Sequence, residues 1–235
     1  ELLGLLGEGA MGRVYRAKQT SVGRDVAIKL LKKDIADQPE IRERFLREAQ
    51  LISGFSHPNI VRLVDFGETP DGQLFLAMEF INGKPVGELF GGKLLSPEYV
   101  LEAARQISSA LIESHQQGVV HRDLKPDNIF LARIADGSAQ YKVLDFGVAR
   151  TSSSGLTQTG MVYGTPTYMA PEQAKGETVG DATDLYAIGC MMFEMLTGGP
   201  PFQGQPLQVM MKHVSEPPPS LLDLAPHLPN DVIEI

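Results

Sequence analysis

In the stretch His121-Arg122-Asp123-Leu124-Lys125-Pro126-Asp127-Asn128, a carboxylate, an ammonium and an amide stand two or three residues apart. That set suits phosphoryl transfer, in which a protein mainly positions the reactants and neutralises charge. Asp123 can orient a hydroxyl, Lys125 can neutralise phosphate charge, and Asn128 can ligate magnesium. Pro126 keeps the segment a loop. The stretch fits the spacing H-R-D-L-x-x-x-N at every fixed position, which chance at about one in twenty each supplies only about once in a few million windows. A solvated polar loop after Val119-Val120 is the plain alternative.

The elements before this loop supply a second set of groups. Leu2 to Val14 reads as strand, glycine turn, strand, with Gly7-Glu8-Gly9-Ala10-Met11-Gly12-Arg13-Val14 fitting G-x-G-x-x-G-x-V. Glycines there let a backbone approach phosphate oxygens. A dinucleotide site would need a helix straight after the glycines, whereas Val14-Tyr15-Arg16-Ala17 continues as strand and turns at Ser21-Val22-Gly23. A glycine-rich flap over a nucleotide fits better, with an ordinary hairpin as the alternative. The strand Asp25 to Leu30 places Lys29 among apolar neighbours, where a lysine can also simply snorkel to water. Pro39 to Phe55 reads as a helix with Ile41, Phe45, Ala49 and Ile52 inward, and Glu48 borders that stripe. A carboxylate leaning into a core needs a cation, either Lys29 or, on the surface, Arg44. Ile60 to Phe66 and Gln73 to Ile81 read as strands joined by the turn Thr69-Pro70-Asp71-Gly72.

The elements after it complete the picture. Ser96-Pro97 opens a helix with Val100, Ala104, Ile107 and Leu111 buried, which Gly118 stops and which delivers the chain to the loop. His121 reads as a packed histidine bracing the loop, since no second histidine stands at metal-ligand spacing. Strands through Ile129-Phe130-Leu131 and Tyr141-Lys142-Val143-Leu144 form a hairpin that brings Asn128 beside Asp145 of Asp145-Phe146-Gly147. Two hard oxygen ligands then stand where magnesium prefers them. Val148 to Tyr168 is small, polar and rich in Ser, Thr and Gly, a composition that phosphorylation can order. Arg122 would receive the phosphate; a plain solvated loop is the alternative. Asp184 to Leu196 reads as a helix apolar almost all round and buried. Asp184 either accepts backbone amides of the catalytic loop or caps its own helix.

Composition bounds the rest. With 235 residues and 43% apolar character the chain can bury an ordinary core, in one domain or two lobes. A net charge of −8 and a pI near 5.1 argue against nucleic-acid or anionic-membrane surfaces. Cys190 is the one cysteine and lies in an apolar run, so it reads as a buried, inert thiol in a reducing, cytoplasmic compartment. No apolar run approaches a membrane span. The sequence starts without methionine inside a strand-like run, so a fragment is expected.

Taken in order, glycine loop, lysine, helix glutamate, catalytic loop, Asp-Phe-Gly and Ala170-Pro171-Glu172 resemble the protein kinases, over essentially the whole chain. Gly164-Thr165-Pro166-Thr167-Tyr168 and Lys125 resemble the serine/threonine type, and Thr157-Gln158-Thr159 resembles the activation-loop pair of bacterial kinases of the eukaryotic type. Ser152-Ser153-Ser154 competes for that role. The resemblance implies an α+β, two-lobed fold: a small antiparallel β lobe with one helix (1–81) and a larger helical lobe (82–235), truncated at its end. It implies ATP with magnesium, or manganese, in a cleft. The nucleotide contacts would come from Leu6, Gly7, Glu8, Gly9, Ala10, Met11, Gly12, Arg13, Val14, Ala27, Lys29, Glu48, Met78, Glu79 and Ile81. Of these, Lys29 would hold the α- and β-phosphates with Glu48 positioning it, and Glu79 and Ile81 would offer hinge backbone groups to adenine. Asp123, Lys125 and Asn128 would be catalytic, Asn128 and Asp145 the metal ligands, Thr157 and Thr159 the phosphorylation sites, and Thr165 part of the acceptor pocket. Protein substrates, autophosphorylation and activation as a homodimer are the implied partnerships, with no nucleic acid and no membrane contact from this stretch. Bacterial members often carry a membrane segment elsewhere, so an anchored parent is compatible.

Overall fold

The computed structural model describes residues 1–9, 12–134, 137–146 and 166–233. Ala10, Met11, Gly147, the Ser152–Ser154 run, Thr157, Thr159 and Thr165 lie outside the described residues. The chain divides into a first unit, Glu1–Asn82, and a second that comprises Gly83–Phe146 and the described residues from 166 onward.

The first unit is a sheet with one substantial helix. Strands β1 (Leu2–Glu8), β2 (Gly12–Gln19), β3 (Arg24–Leu31), β4 (Leu63–Glu68) and β5 (Leu74–Glu79) form an antiparallel sheet in the order β1-β2-β3-β5-β4. The turn at Thr69–Gly72 forms as read: Gly72 N–H donates to the Thr69 carbonyl at 2.9 Å, and Gly72 takes φ +84°, which glycine adopts without strain. Strand β4 starts later than the apolar pattern suggests, because Ile60 and Val61 are buried core residues ahead of the ladder. After a short turn of helix, α1 (Lys33–Ala36), helix α2 (Pro39–Ser53) packs on β4 with Phe45, Ala49 and Ile52 buried and Ile41 half-buried. Arg42 of α2 ion-pairs with Glu68 of β4. Exposed pairs of this kind stabilise little, so apolar burial holds the helix.

The second unit contains an additional small sheet, β6 (Gly83–Pro85), β7 (Ile129–Arg133) and β8 (Ala139–Val143), antiparallel in that order. Its helices are α3 (Val86–Phe90), α4 (Pro97–Gln116), α5 (Pro171–Lys175), α6 (Asp181–Thr197), α7 (Pro206–Ser215), α8 (Leu221–Leu224) and α9 (Asn230–Ile233). Helix α4 packs against α6 and β8, burying Val100, Ala103, Ile107, Ala110 and Leu111, so Ala103 replaces the expected Ala104 in the stripe. Ser96 stands at its N-cap position, but its side chain makes no cap hydrogen bond. The start of α6 precedes the expected Asp184, since Gly180 is extended and donates its N–H to Thr183 Oγ1 at 3.2 Å. Most of α6 is buried, yet Leu185 is 55% exposed, so its apolar character overstates its burial. Among the described residues no helix is long and apolar enough to cross a membrane.

Candidate active site

In the second unit, α4 ends at Gln116 and the chain turns through Gly118, at φ +74°, to reach the loop His121–Asn128. His121 is fully buried. Its Nε2–H donates to the Leu144 carbonyl at 2.7 Å, its Nδ1 accepts the Asp123 N–H at 3.3 Å, and its ring lies 4.9 Å from that of Phe146. One tautomer satisfies both bonds, so His121 braces the loop against Leu144, the residue that follows β8.

Asp184, 1% exposed, settles its own two readings. Its Oδ2 accepts the His121 N–H at 2.8 Å and its Oδ1 accepts the Arg122 N–H at 2.9 Å, so Asp184 holds the loop and leaves the start of α6 to Thr183. His115 Nε2 lies 2.8 Å from Asp184 Oδ2 and supplies a further partner for the buried carboxylate. Such a group is tolerated inside a protein only when its oxygens are satisfied.

The held loop converges its polar side chains. Lys125 Nζ lies 3.4 Å from Asp123 Oδ2, with both side chains partly exposed. Asn128 closes a 3-10 turn over Pro126–Asn128 and donates Nδ2–H to the Asp123 carbonyl at 2.8 Å. With that nitrogen committed, Oδ1 is the atom that Asn128 can offer a cation. Leu144 N–H donates to the Asn128 carbonyl at 2.8 Å, at the open end of the β7–β8 hairpin where Ile129 pairs with Val143. Asp145 follows directly, so the backbone sets it beside Asn128. Arg122 and Asp145 have φ of +65° and +55°, the only described non-glycine residues at positive φ. Each such conformation costs about 1–3 kcal/mol and persists where its surroundings enforce it, as at functional sites.

Further polar contacts lie behind the loop. Tyr168 O–H donates to Glu194 Oε2 at 2.5 Å, and burial pushes both groups above their ordinary values. Glu172 accepts Thr183 Oγ1–H at 2.5 Å. Burial pushes the Cys190 thiol up to about 12, so it is protonated and inert at neutral pH.

The first unit carries the other set. Lys29, half-buried on β3, sits between Val14 of β2 and Leu76 of β5, while Ala27 lies opposite Met78. Glu48 is half-buried on α2 between the buried Phe45 and Ala49. Glu8 and Arg13 face each other across β1 and β2, with Oε2 to Nε at 3.1 Å, and Gly7 pairs with Val14. Leu6 is exposed. Glu79 N–H donates to the Arg62 carbonyl and Glu79 Oε1 accepts the Arg62 N–H, both at 2.9 Å. Between Glu79 and the half-buried Ile81, Phe80 lies under the Arg16 guanidinium at 4.6 Å.

The three glycines differ. A Cβ at Gly12 would overlap the Leu30 carbonyl oxygen, so strand packing alone demands glycine there. At Gly7 and Gly9 a Cβ would meet no atom of the described residues within 4 Å, and neither takes a positive φ. Packing among the described residues gives no reason for glycine at these two positions.

Sequence reading missed His115 and Gln173 in this region. His115 carries the faint signal of a histidine at the end of a buried stripe; Gln173 carries none.

A family model described as the protein kinase domain matches residues 1–226. The chain belongs to the protein kinase family. It is 42% identical over 228 residues to the serine/threonine-protein kinase Pkn2 of Myxococcus xanthus, covering 95% of this chain and 27% of that protein. Against the serine/threonine-protein kinase PknB of Mycolicibacterium smegmatis, identity is 41% over 226 residues, covering 93% and 36%. This chain thus spans about a third of the length of these curated relatives. The solved kinase domain of Mycobacterium tuberculosis PknI superposes with a TM-score of 0.75 at 29% identity, covering 97% of this chain and 82% of that one. The protein kinase fold, with an antiparallel N-lobe and a mainly helical C-lobe, is therefore the fold of this chain.

Proposed function

We propose that this chain transfers the γ-phosphoryl group of ATP to serine and threonine hydroxyls of proteins. The observation that carries the proposal is the catalytic loop, in which Asp123, Lys125 and Asn128 converge on a backbone strained at Arg122 and pinned by Asp184. Asp123 accepts a hydrogen bond from the acceptor hydroxyl and takes its proton as the oxygen–phosphorus bond forms and ADP departs. Lys125 lies close enough to Asp123 to neutralise the γ-phosphoryl oxygens beside it. Serine and threonine as acceptors follow from the names of Pkn2 and PknB and from Lys125 two residues after Asp123.

The donor groups fit a nucleotide with a hard divalent cation. Asn128 and Asp145 offer an amide and a carboxylate oxygen and would hold magnesium or manganese, which when bound neutralises charge on the β- and γ-phosphates. In the N-lobe, Gly7 and Gly9 lie where only backbone stands toward a ligand, Lys29 takes the α- and β-phosphates, and Glu48 positions Lys29. Leu6, Val14, Ala27 and Met78 surround the adenine, and the Glu79–Ile81 segment meets its edge. We assign Thr157 and Thr159 as autophosphorylation sites that dock on Arg122, and Thr165 as part of the acceptor pocket. We treat residues 1–81 and 82–235 as the two lobes, and a homodimer as the activating form.

Mass mapping tests this reading. Incubation with magnesium and ATP is expected to place phosphate on serine and threonine of an added protein and on Thr157 or Thr159. Phosphate confined to small-molecule acceptors would overturn the protein-substrate assignment. Full activity in the Thr157→Ala/Thr159→Ala double variant would remove the activation-loop assignment alone.

A further inference from the structure

The backbone of Arg122 is held at both ends of the residue. Its N–H donates to Asp184 Oδ1 at 2.9 Å, and its carbonyl accepts Gln173 Nε2–H at 2.9 Å. Gln173 also accepts the Ala170 N–H on Oε1 at 3.1 Å. That backbone donor fixes the orientation of the amide, because only an oxygen can face Ala170 and only the nitrogen can then face a carbonyl. One half-buried side chain thereby joins the residue preceding α5 to the strained residue preceding Asp123.

Arginine at φ +65° persists only while its surroundings enforce that conformation. Asp184 secures one end of the residue. Without Gln173, the peptide joining Arg122 to Asp123 loses its bond on the carbonyl side and leans on the longer 3.3 Å bond from the Asp123 N–H to His121 Nδ1. It then rotates more easily and carries the Asp123 side chain with it. Misplacement on the order of 1 Å is enough to slow a positioned reaction steeply.

We propose that Gln173 is a positioning residue for phosphoryl transfer, a strap by which the Pro166–Ala170 segment sets the aim of the Asp123 carboxylate. The proposal rests on the reading of Asp123 as the group that orients the hydroxyl. The strap also makes the loop geometry respond to whatever moves that segment, such as an acceptor peptide bound against it.

The competing role is a helix cap for α5 and nothing more, and chemistry separates the two. Gln173→Glu keeps an oxygen for the Ala170 N–H but sets a carboxylate against the Arg122 carbonyl. Its kcat is expected to fall about tenfold or more with KM for ATP unchanged and the melting temperature preserved. Amide exchange at Arg122 is expected to quicken. Gln173→Met, which loses both bonds at similar length, is expected to show the same kcat loss with a lowered melting temperature, and it decides the matter if Gln173→Glu does not fold. Wild-type kcat with unchanged exchange at Arg122 in either folded variant overturns the strap. Asp123→Asn in the same assay keeps the two readings apart: its retention of full activity would sink the assignment of Asp123, whereas its loss beside a fully active Gln173→Glu would sink only the strap.

Discussion

Asp123, Asn128 and Asp145 lie in one short region of the C-lobe, and the proposed function divides them between proton and cation. On that proposal, replacing Asp145 with Asn removes a charge that the cation would need but leaves the Asp123 carboxylate in place. Turnover of Asp145→Asn is expected to recover partly when magnesium is raised several-fold, whereas Asp123→Asn is not rescued at any magnesium concentration. A titration of rate against magnesium for the two variants checks this. At this scale the sequence was legible wherever a residue announced its chemistry by type, as at Asp123, Lys125 and Asn128. It was silent on Gln173 and left Asp184 undecided, because both act through hydrogen bonds to residues more than fifty positions away. Nothing local in a glutamine after Ala-Pro-Glu distinguishes a strap from a solvated side chain.

The elements carry tests of their own. Gly12→Ala drives a methyl into the Leu30 carbonyl across the β2–β3 ladder and is expected to destabilise the N-lobe by about 1–3 kcal/mol or more. Gly9→Ala meets no atom of the described residues within 4 Å and is expected to leave the melting temperature unchanged while raising KM for ATP. Calorimetry and initial rates distinguish the two. In α7, His213 is 3% exposed, and its Nδ1 lies 2.8 Å from the Tyr186 hydroxyl. Burial, partly offset by the backbone at Thr167 and Pro166, holds its pKa below the ordinary value. The folded state therefore favours the neutral ring. Below an unfolded value of about 6.5 the unfolded chain binds the extra proton, so this contribution is intact above that pH and is lost as pH falls toward the folded value. Denaturant melts from pH 7.5 to 5 are expected to show a decline that His213→Gln reduces. Strand and long-helix patterns were readable, but α7 was not, because Leu207 and Met211 are exposed on the face opposite the buried Val209 and Met210. Apolar residues all round blur the period, and helices of four or five residues exist only through tertiary packing.

For the molecule as a whole, the order of the motifs was more informative than any one of them. A glycine turn, a strand lysine or an Asp-Phe-Gly alone has ordinary explanations, and their joint occurrence in one order does not. Composition argued against a strongly basic surface, but the identity of the substrates is a property of partner surfaces that no spacing encodes. If lysine, glycines and the Asn128–Asp145 pair serve one nucleotide, ligand must stabilise the folded chain. Magnesium with a non-hydrolysable ATP analogue at about a hundred times its Kd is expected to add about 2.7 kcal/mol, and chelating the metal is expected to remove most of it. A melting temperature indifferent to the pair would separate the glycine turn from the catalytic loop.

The most direct measurement is the rate of radiolabel transfer from γ-labelled ATP to a protein acceptor, comparing wild type with Asp123→Asn at saturating nucleotide. Transfer to serine and threonine should fall by about a hundred- to ten-thousand-fold in the variant while analogue binding stays unchanged. Equal rates in the two proteins, or no transfer by the folded wild type, would contradict the assignment of phosphoryl transfer to this loop.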